Sequence, residues 1–266
     1  MEKVYEKEFN ETIYFDQDEK ATITIQKTGS LLMVLRKGIS SLKLHLKLEA
    51  DSQSKILLYN QSASTLSVDL EVEVKKDAKS EIGFLDMEES DVTFKQKAFL
   101  KESGADIKLM SAQLGQADTT KLNDIEILHE ASHTFGYMEN FSVLFDRAHY
   151  EMVANGNIQK GCYGSQSHHT TRVLTLGKDH KAQVIPLLLI DENDVKASHA
   201  QTIGQPDEEQ LYYLKSRGLS QRQAMGLLSV GYLLPILELV SDEATKEKMR
   251  EEMESKVGLY GHGKNS

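Results

Sequence analysis

From about residue 20 to residue 200 the chain alternates apolar with polar residues at a period of two. "ATITIQ", "SLKLHLKLE", "STLSVDLEVEV", "DVTFKQKAFL" and "NDIEILHE" all carry the pattern. Alternation of this kind puts successive side chains on opposite faces of a strand and buries one face. No 3.6-residue pattern falls between these segments. That excludes a doubly wound α/β sheet, which needs crossover helices. Small polar clusters punctuate the strands, and Asp51, Asp77, Ser103, His129, Asn155 and Lys181 lie on a comb of 26 residues. An apolar residue follows most of them: Ile56, Ile82, Ile107, Ile158 and Val184. A period of this size suits one coil of a solenoid stacking on the next. The competing arrangement is an antiparallel sandwich of evenly spaced hairpins, but hairpin dipeptides are nearly absent, Asn155-Gly156 being a single case. The expected fold is mainly β: a right-handed parallel β-helix over residues 1–204, with a short N-terminal segment.

After His199 the period changes. Pro206 suits a first helical position, and Asp207, Glu208 and Glu209 favour the positive end of a helix. Gly218 is a natural stop after Arg217. Ser220 and Gln223 form a capping box that opens a second helix, "AMGLLSVGYLLPILELV", apolar on nearly every side until Pro235 interrupts it. A third helix, "SDEATKEKMREEMESK", is charged almost all round. The C-terminal helical region therefore spans 205–255, and residues 256–266 read as a flexible tail. Burying one Leu, Ile or Met is worth about 1.5–3 kcal/mol, so the apolar helix must be covered. It either caps the open end of the β-helix and packs on the first helix, or offers a docking surface; both hold if different faces are used.

Composition narrows the function. A net charge of −10 argues against nucleic acid, whose binding rests on Lys and Arg neutralising phosphates. No run of about 18 apolar residues marks a membrane helix, and the polar, acidic start is unlike a secretory or transit peptide. The single cysteine, Cys162, excludes an internal disulfide framework and suits a reducing cytoplasm. No phosphate-binding loop, dinucleotide fingerprint, CxxC, HExxH or GxSxG motif is present, so no enzyme motif can be read. His168 and His169 are adjacent, so on a strand they face opposite ways and cannot share an ion. His129 and His133 lie about 13 Å apart if extended, too far for one site, and read as solvated or turn residues. Cys162, flanked by glycines, reads as a small buried residue.

Residues 185–232, "IPLLLIDENDVKASHAQTIGQPDEEQLYYLKSRGLSQRQAMGLLSVGY", resemble the C-terminal signature of the SufB/SufD family, scaffold proteins of SUF-system iron–sulfur cluster assembly. The strand ending "DVKASHA", the link at Thr202 and Gly204, the helix "DEEQLYYLKSRG" and the following "SQRQA" carry the match. Weaker similarity extends through "GSQSHHTTRVLTLG". The resemblance implies a right-handed parallel β-helix followed by helices, and pairing of two family members through the β-helix. It also implies docking of SufC, an ABC-type ATPase, on the C-terminal helices. The positions implied for that docking are Asp207, Glu208, Glu209, Gln210, Tyr213, Leu214, Arg217, Gly218 and Leu219.

His199 matches the family histidine implicated in holding a nascent, transient iron–sulfur cluster near the subunit interface. Imidazole is an acceptable iron ligand and makes a cluster more labile than thiolate does, which suits a scaffold that must release its product. The competing role is a hydrogen bond across the last coil. Two departures stand out. Ala197-Ser198-His199 stands where SufD members often carry Cys-Ser-His, and Thr171 falls near the sulfur-accepting cysteine of SufB members. With no counterpart of the family's large N-terminal helical region, the chain resembles a short or SufD-like member. It would act as a homodimer or as a heterodimer with a SufB/SufD paralogue. The expected function is a non-enzymatic, cytoplasmic scaffold subunit with an ATPase partner. A purely structural module of the same fold, and a β-helix hydrolase acting on carbohydrate or through a metal, are the alternatives; a hydrolase would want a groove of aromatics and carboxylates, and the chain has no Trp.

Overall fold

The computed structural model describes residues 1–116 and 118–258. The strands begin ahead of the alternating stretch, in the short N-terminal segment, with β1 (Glu2–Tyr5) and β2 (Phe9–Phe15), and the alternating segments follow as β3 (Glu19–Ile25) and β4 (Gly29–Leu35). They continue as β5 (Ser41–Leu48), β6 (Gln53–Asn60), β7 (Leu66–Val74) and β8 (Lys79–Asp86). Next come β9 (Val92–Leu100), β10 (Asp106–Gly115), β11 (Thr120–His129) and β12 (Phe135–Leu144). The last are β13 (His149–Ile158), β14 (Gln166–Thr175), β15 (Lys181–Ile190) and β16 (Lys196–Gly204). Odd-numbered strands make one sheet in chain order and even-numbered strands make the other. All neighbours are parallel. Each coil thus gives one strand to each sheet, which is a parallel β-helix and not a sandwich of hairpins.

The buried half of each alternating segment fills the lumen between the sheets. Ile23, Leu46, Val72, Ala98 and Ile127 stack in register along one column, each 0% exposed. At the N-terminal end, Tyr5 stacks on Phe9 with ring centroids 4.0 Å apart.

The constant comb of 26 residues needs correcting. Phe9 lies beside Gly29, Ser54 beside Ser80, and Gly136 beside Ser167, so the coil grows from 20 residues to 26 and then to 31. Asp51 and Asp77 do occupy one corner, each with positive φ. Gly104, His133 and Gly164 then take over that corner, linked by the hydrogen bonds Gly104 N–H to His133 O and His133 N–H to Tyr163 O. Asn155 falls inside β13, and Lys181 begins β15. Longer late strands and turns absorb the added residues, and a fixed spacing drifts off the corner.

The helices are α1 (Glu208–Ser216), α2 (Gln221–Leu233) and α3 (Glu243–Lys256), with a 3₁₀ turn at Leu234–Leu239 that begins beside Pro235. The Ser220–Gln223 capping box is formed, and Gly218 has φ 96° just past Arg217. Asp207 caps α1 by accepting from the N–H groups of Glu209 and Gln210, so Pro206 lies one residue before the cap and not at the first helical position. The competition is decided by the carboxylate, which satisfies two otherwise orphaned donors.

The apolar helix does not cap the open end of the lumen. It runs back along the outer face of the even-numbered sheet. Val230, Leu233, Ile236, Leu237 and Met253 pack there on Leu57, Leu85, Met110 and Val143. At Gly83 an added Cβ would lie 2.3 Å from Leu239 Cδ1, so the missing side chain is what lets the 3₁₀ turn approach the sheet. Ser241 Oγ reaches the first coils, at 3.1 Å from Asn10 Oδ1 and 2.9 Å from Ser30 Oγ. Strands β6 and β10 accordingly carry apolar residues on both faces, in "KILLYN" and "KLM", because both faces are covered there. Of the segment expected as a tail, Lys256 ends α3 and Val257 is 5% exposed; residues 259–266 lie outside those described.

Candidate functional site

The lumen changes character toward its C-terminal end. Its even-numbered wall reads Ser111, Asn140, Thr171 and Gln201 in register. Ser111 Oγ is 2.8 Å from Asn140 Oδ1, and Asn140 Nδ2 is 3.4 Å from Thr171 Oγ1. The column beside it reads Leu109, Met138, His169 and His199. The last rungs, β15 and β16, have a neighbour on one side only and contain no buried residue. His199 therefore sits exposed at the open mouth, with His169 directly behind it.

His169 is 3% exposed and crosses the lumen to Gly156 on β13, where an added Cβ would lie 2.6 Å from its Nε2. That nitrogen is 3.2 Å from Ser167 Oγ, whereas Nδ1 is buried without a partner. His129, one coil further in, is fully buried; its Nδ1 is 2.7 Å from Thr134 Oγ1, and its Nε2 has no partner. Desolvation, and then the neighbouring imidazoles, lower both pKa values to about 4. Both rings are thus neutral, available as nitrogen donors, at neutral pH.

His129 is therefore a buried luminal side chain, and the solvated reading fails for it. The segment after it is a turn and not a strand, and His133 takes positive φ there with its ring edge-on to Tyr163. His168 and His169 do face opposite ways: His168 Nδ1 is 2.7 Å from Ser198 Oγ and its ring stacks on Tyr137. Cys162 is buried, its Sγ 3.2 Å from the carbonyl oxygen of His129, and burial pushes its thiol pKa up. A thiolate ligand is not on offer there.

The residues singled out for docking sit beyond the last coil. Helix α1 buries none of its side chains, with Tyr212 77% and Tyr213 59% exposed. Glu208 and Glu209 lie in its first turn, Leu214 and Leu219 are half-buried, and the Arg217 guanidinium lies 5.8 Å from the Tyr213 ring centre. Gln210 lines a cleft of about 320 Å³ with Arg172, Phe141, Leu227 and Tyr232. His199 and helix α1 are thus neighbours in chain order but point differently: His199 leaves the luminal side of β16 at the mouth, and α1 lies outside the coils. Sequence reasoning missed that His169 is the rung neighbour of His199. Its signal was its place on the inward face of "SQSHHTTR", but the register that puts it behind His199 is not written locally.

Among the described residues no helix is long and apolar enough to cross a membrane. A family model described as SUF system FeS cluster assembly, SufBD core domain, matches residues 11–232. The iron–sulfur cluster assembly protein SufD of Bacillus subtilis is 33% identical over 144 residues, which is 54% of this chain and 33% of that protein. SufD of Escherichia coli is 32% identical over 99 residues, 36% of this chain and 23% of that protein. A SufBD family protein of Mycobacterium leprae is 30% identical over 136 residues, 50% of this chain and 16% of that protein. The matched stretches span a third or less of these curated relatives. The family model takes in all but the first coil of the β-helix and reaches into α2, and so the chain belongs to the SufBD family of iron–sulfur cluster assembly.

Proposed function

We propose that the chain is a non-enzymatic, cytoplasmic scaffold subunit that docks a SufC-type ABC ATPase through residues 207–219. The observation that carries this reading is α1, a well-capped helix with two exposed tyrosines and no buried face. An isolated nine-residue helix is marginal in water, and this one is held mainly by its caps and its contact with α2. A partner that covers Tyr212, Tyr213 and Leu214 would supply the missing burial.

The cluster is the cargo, held transiently at the mouth with His199 among its ligands. Imidazole donors are present there, but the chain's one thiol is buried and protonated. Further ligands would come from a second SufB/SufD-family chain, identical or paralogous, added at the unpaired edges of β15 and β16.

The test is co-purification with the ATPase under anaerobic conditions. Truncation after Gly204 is the wrong perturbation, because it would uncover Leu57, Leu85, Met110 and Val143. Tyr212→Ser with Tyr213→Ser removes only exposed surface. The expected result is capture by the unaltered chain and loss of capture by the double variant; undiminished capture refutes docking through α1. His199→Ala that leaves both ATPase capture and cluster yield unchanged would instead favour a structural module without cluster chemistry.

A further inference from the structure

His169 and His199 are in-register neighbours on the parallel strands β14 and β16. Their side chains leave the same face of the sheet from backbones about 4.8 Å apart. Two imidazole nitrogens on one tetrahedral ion, each at about 2.0–2.1 Å from it, lie about 3.3 Å apart. Two rings leaving one face from adjacent rungs can approach that distance by side-chain rotation alone. His169 is enclosed, with Nε2 beside Ser167 Oγ and Nδ1 unmatched. A ligating histidine usually has its second nitrogen tied by such a hydrogen bond, which orients the ring. The unmatched Nδ1 is the ring atom left to meet an ion. His199, exposed on the last rung, would leave the ion's remaining positions open.

The other histidines nearby are excluded by geometry. His168 faces the opposite way and is engaged by Ser198 and Tyr137. The His129 ring lies against Gly136, whose rung neighbour is Ser167, so it stands behind the pair and not beside it. Among the described residues no group of three or more His, Cys, Asp or Glu side chains could hold a metal ion, so any site here draws at most two such ligands from this chain.

We propose that His169 and His199 form a two-imidazole site for one borderline divalent cation, of the Zn²⁺, Co²⁺ or Fe²⁺ class, at the mouth of the lumen. The site deepens the assignment of His199 made above, and it is tested without cluster chemistry. Imidazole suits these ions.

The experiment is calorimetric titration of the full chain with Zn²⁺ alone, with thermal melts to verify folding. The unaltered chain should bind one ion. His169→Gln and His199→Gln should each weaken binding by about tenfold or more, and His168→Gln should leave it unchanged. If His169→Gln loses its melt, the ¹⁵N imidazole shifts of the unaltered chain decide: Zn²⁺ must move both His169 and His199. No stoichiometric binding overturns the site, as does binding that survives either substitution or falls equally with His168→Gln. Zn²⁺ binding together with failed ATPase capture would sink the proposed function alone; cluster assembly without Zn²⁺ binding would sink this site alone.

Discussion

Gly156→Ala tests the packing that holds His169 across the lumen. The new Cβ would lie 2.4 Å from Ser167 Oγ, 2.6 Å from His169 Nε2 and 2.9 Å from its Cε1. Unstrained heavy-atom contacts fall at about 3.5–4.0 Å, so the ring must yield by about an ångström. The rung neighbour of Gly156 on β11 is Ile127, fully buried, so the ring cannot retreat inward along that column. Overpacking a filled interior costs about 1–3 kcal/mol. At about 2–4 °C per kcal/mol for a chain near this size, the melting temperature should fall by about 2–12 °C. His169→Ala carries its own cost, from a lost hydrogen bond and a cavity. In that background the clash with the ring is gone, and Ser167 Oγ, released from His169, can rotate away from the methyl, so the double variant should be more stable than the sum of the singles by about 1 kcal/mol or more. Urea unfolding followed by circular dichroism on the four proteins reads this directly. Gly204→Ala, with nothing within 4 Å of the added Cβ, is the control and should stay within about 0.5 kcal/mol. Additivity within about 0.5 kcal/mol would refute the placement of the His169 ring against Gly156.

Asp86 and Lys121 meet at 2.7 Å with both side chains 0% exposed, and Lys121 Nζ also donates to the carbonyl oxygens of Glu88 and Ser90. Lys121→Met strands that carboxylate in the interior and should cost about 3–5 kcal/mol by denaturant melt, whereas a loss below about 1 kcal/mol would mean that water reaches the pair. Burial raises the Cys162 thiol pKa, so at any given pH less thiolate is present than in the unfolded chain. A thiol reagent at pH 8 should therefore react slowly with the native chain and fully in denaturant; immediate stoichiometric reaction of the native chain would show the thiol to be accessible.

The local marks of the fold were legible. Alternation at a period of two placed the strands, and the Ser220–Gln223 box, Gly218 and Pro235 placed the helix ends, because each acts through neighbours within four residues. The coil length was not, since it grows along the solenoid while the punctuating residues stay chemically alike. Departures from alternation were present in "KILLYN" and "KLM", and they report a second covered face, yet not which element covers it. The candidate site was half legible: His199 stands out on the last strand through the family block around it, whereas His129 and His169 are ordinary polar residues until the rungs are aligned.

By itself the sequence determined a mainly β chain of stacked coils with a capped helical end, because strand faces and helix caps are set by side chains close in the chain. Its resemblance to a scaffold family also came from one contiguous block, residues 185–232. Tertiary structure alone decided that the apolar helix lies along the flank, and that His169 stands behind His199. Both depend on pairing between residues 30 or more positions apart. Register across that distance is settled by the sum of many luminal contacts, and no short stretch of the chain encodes it.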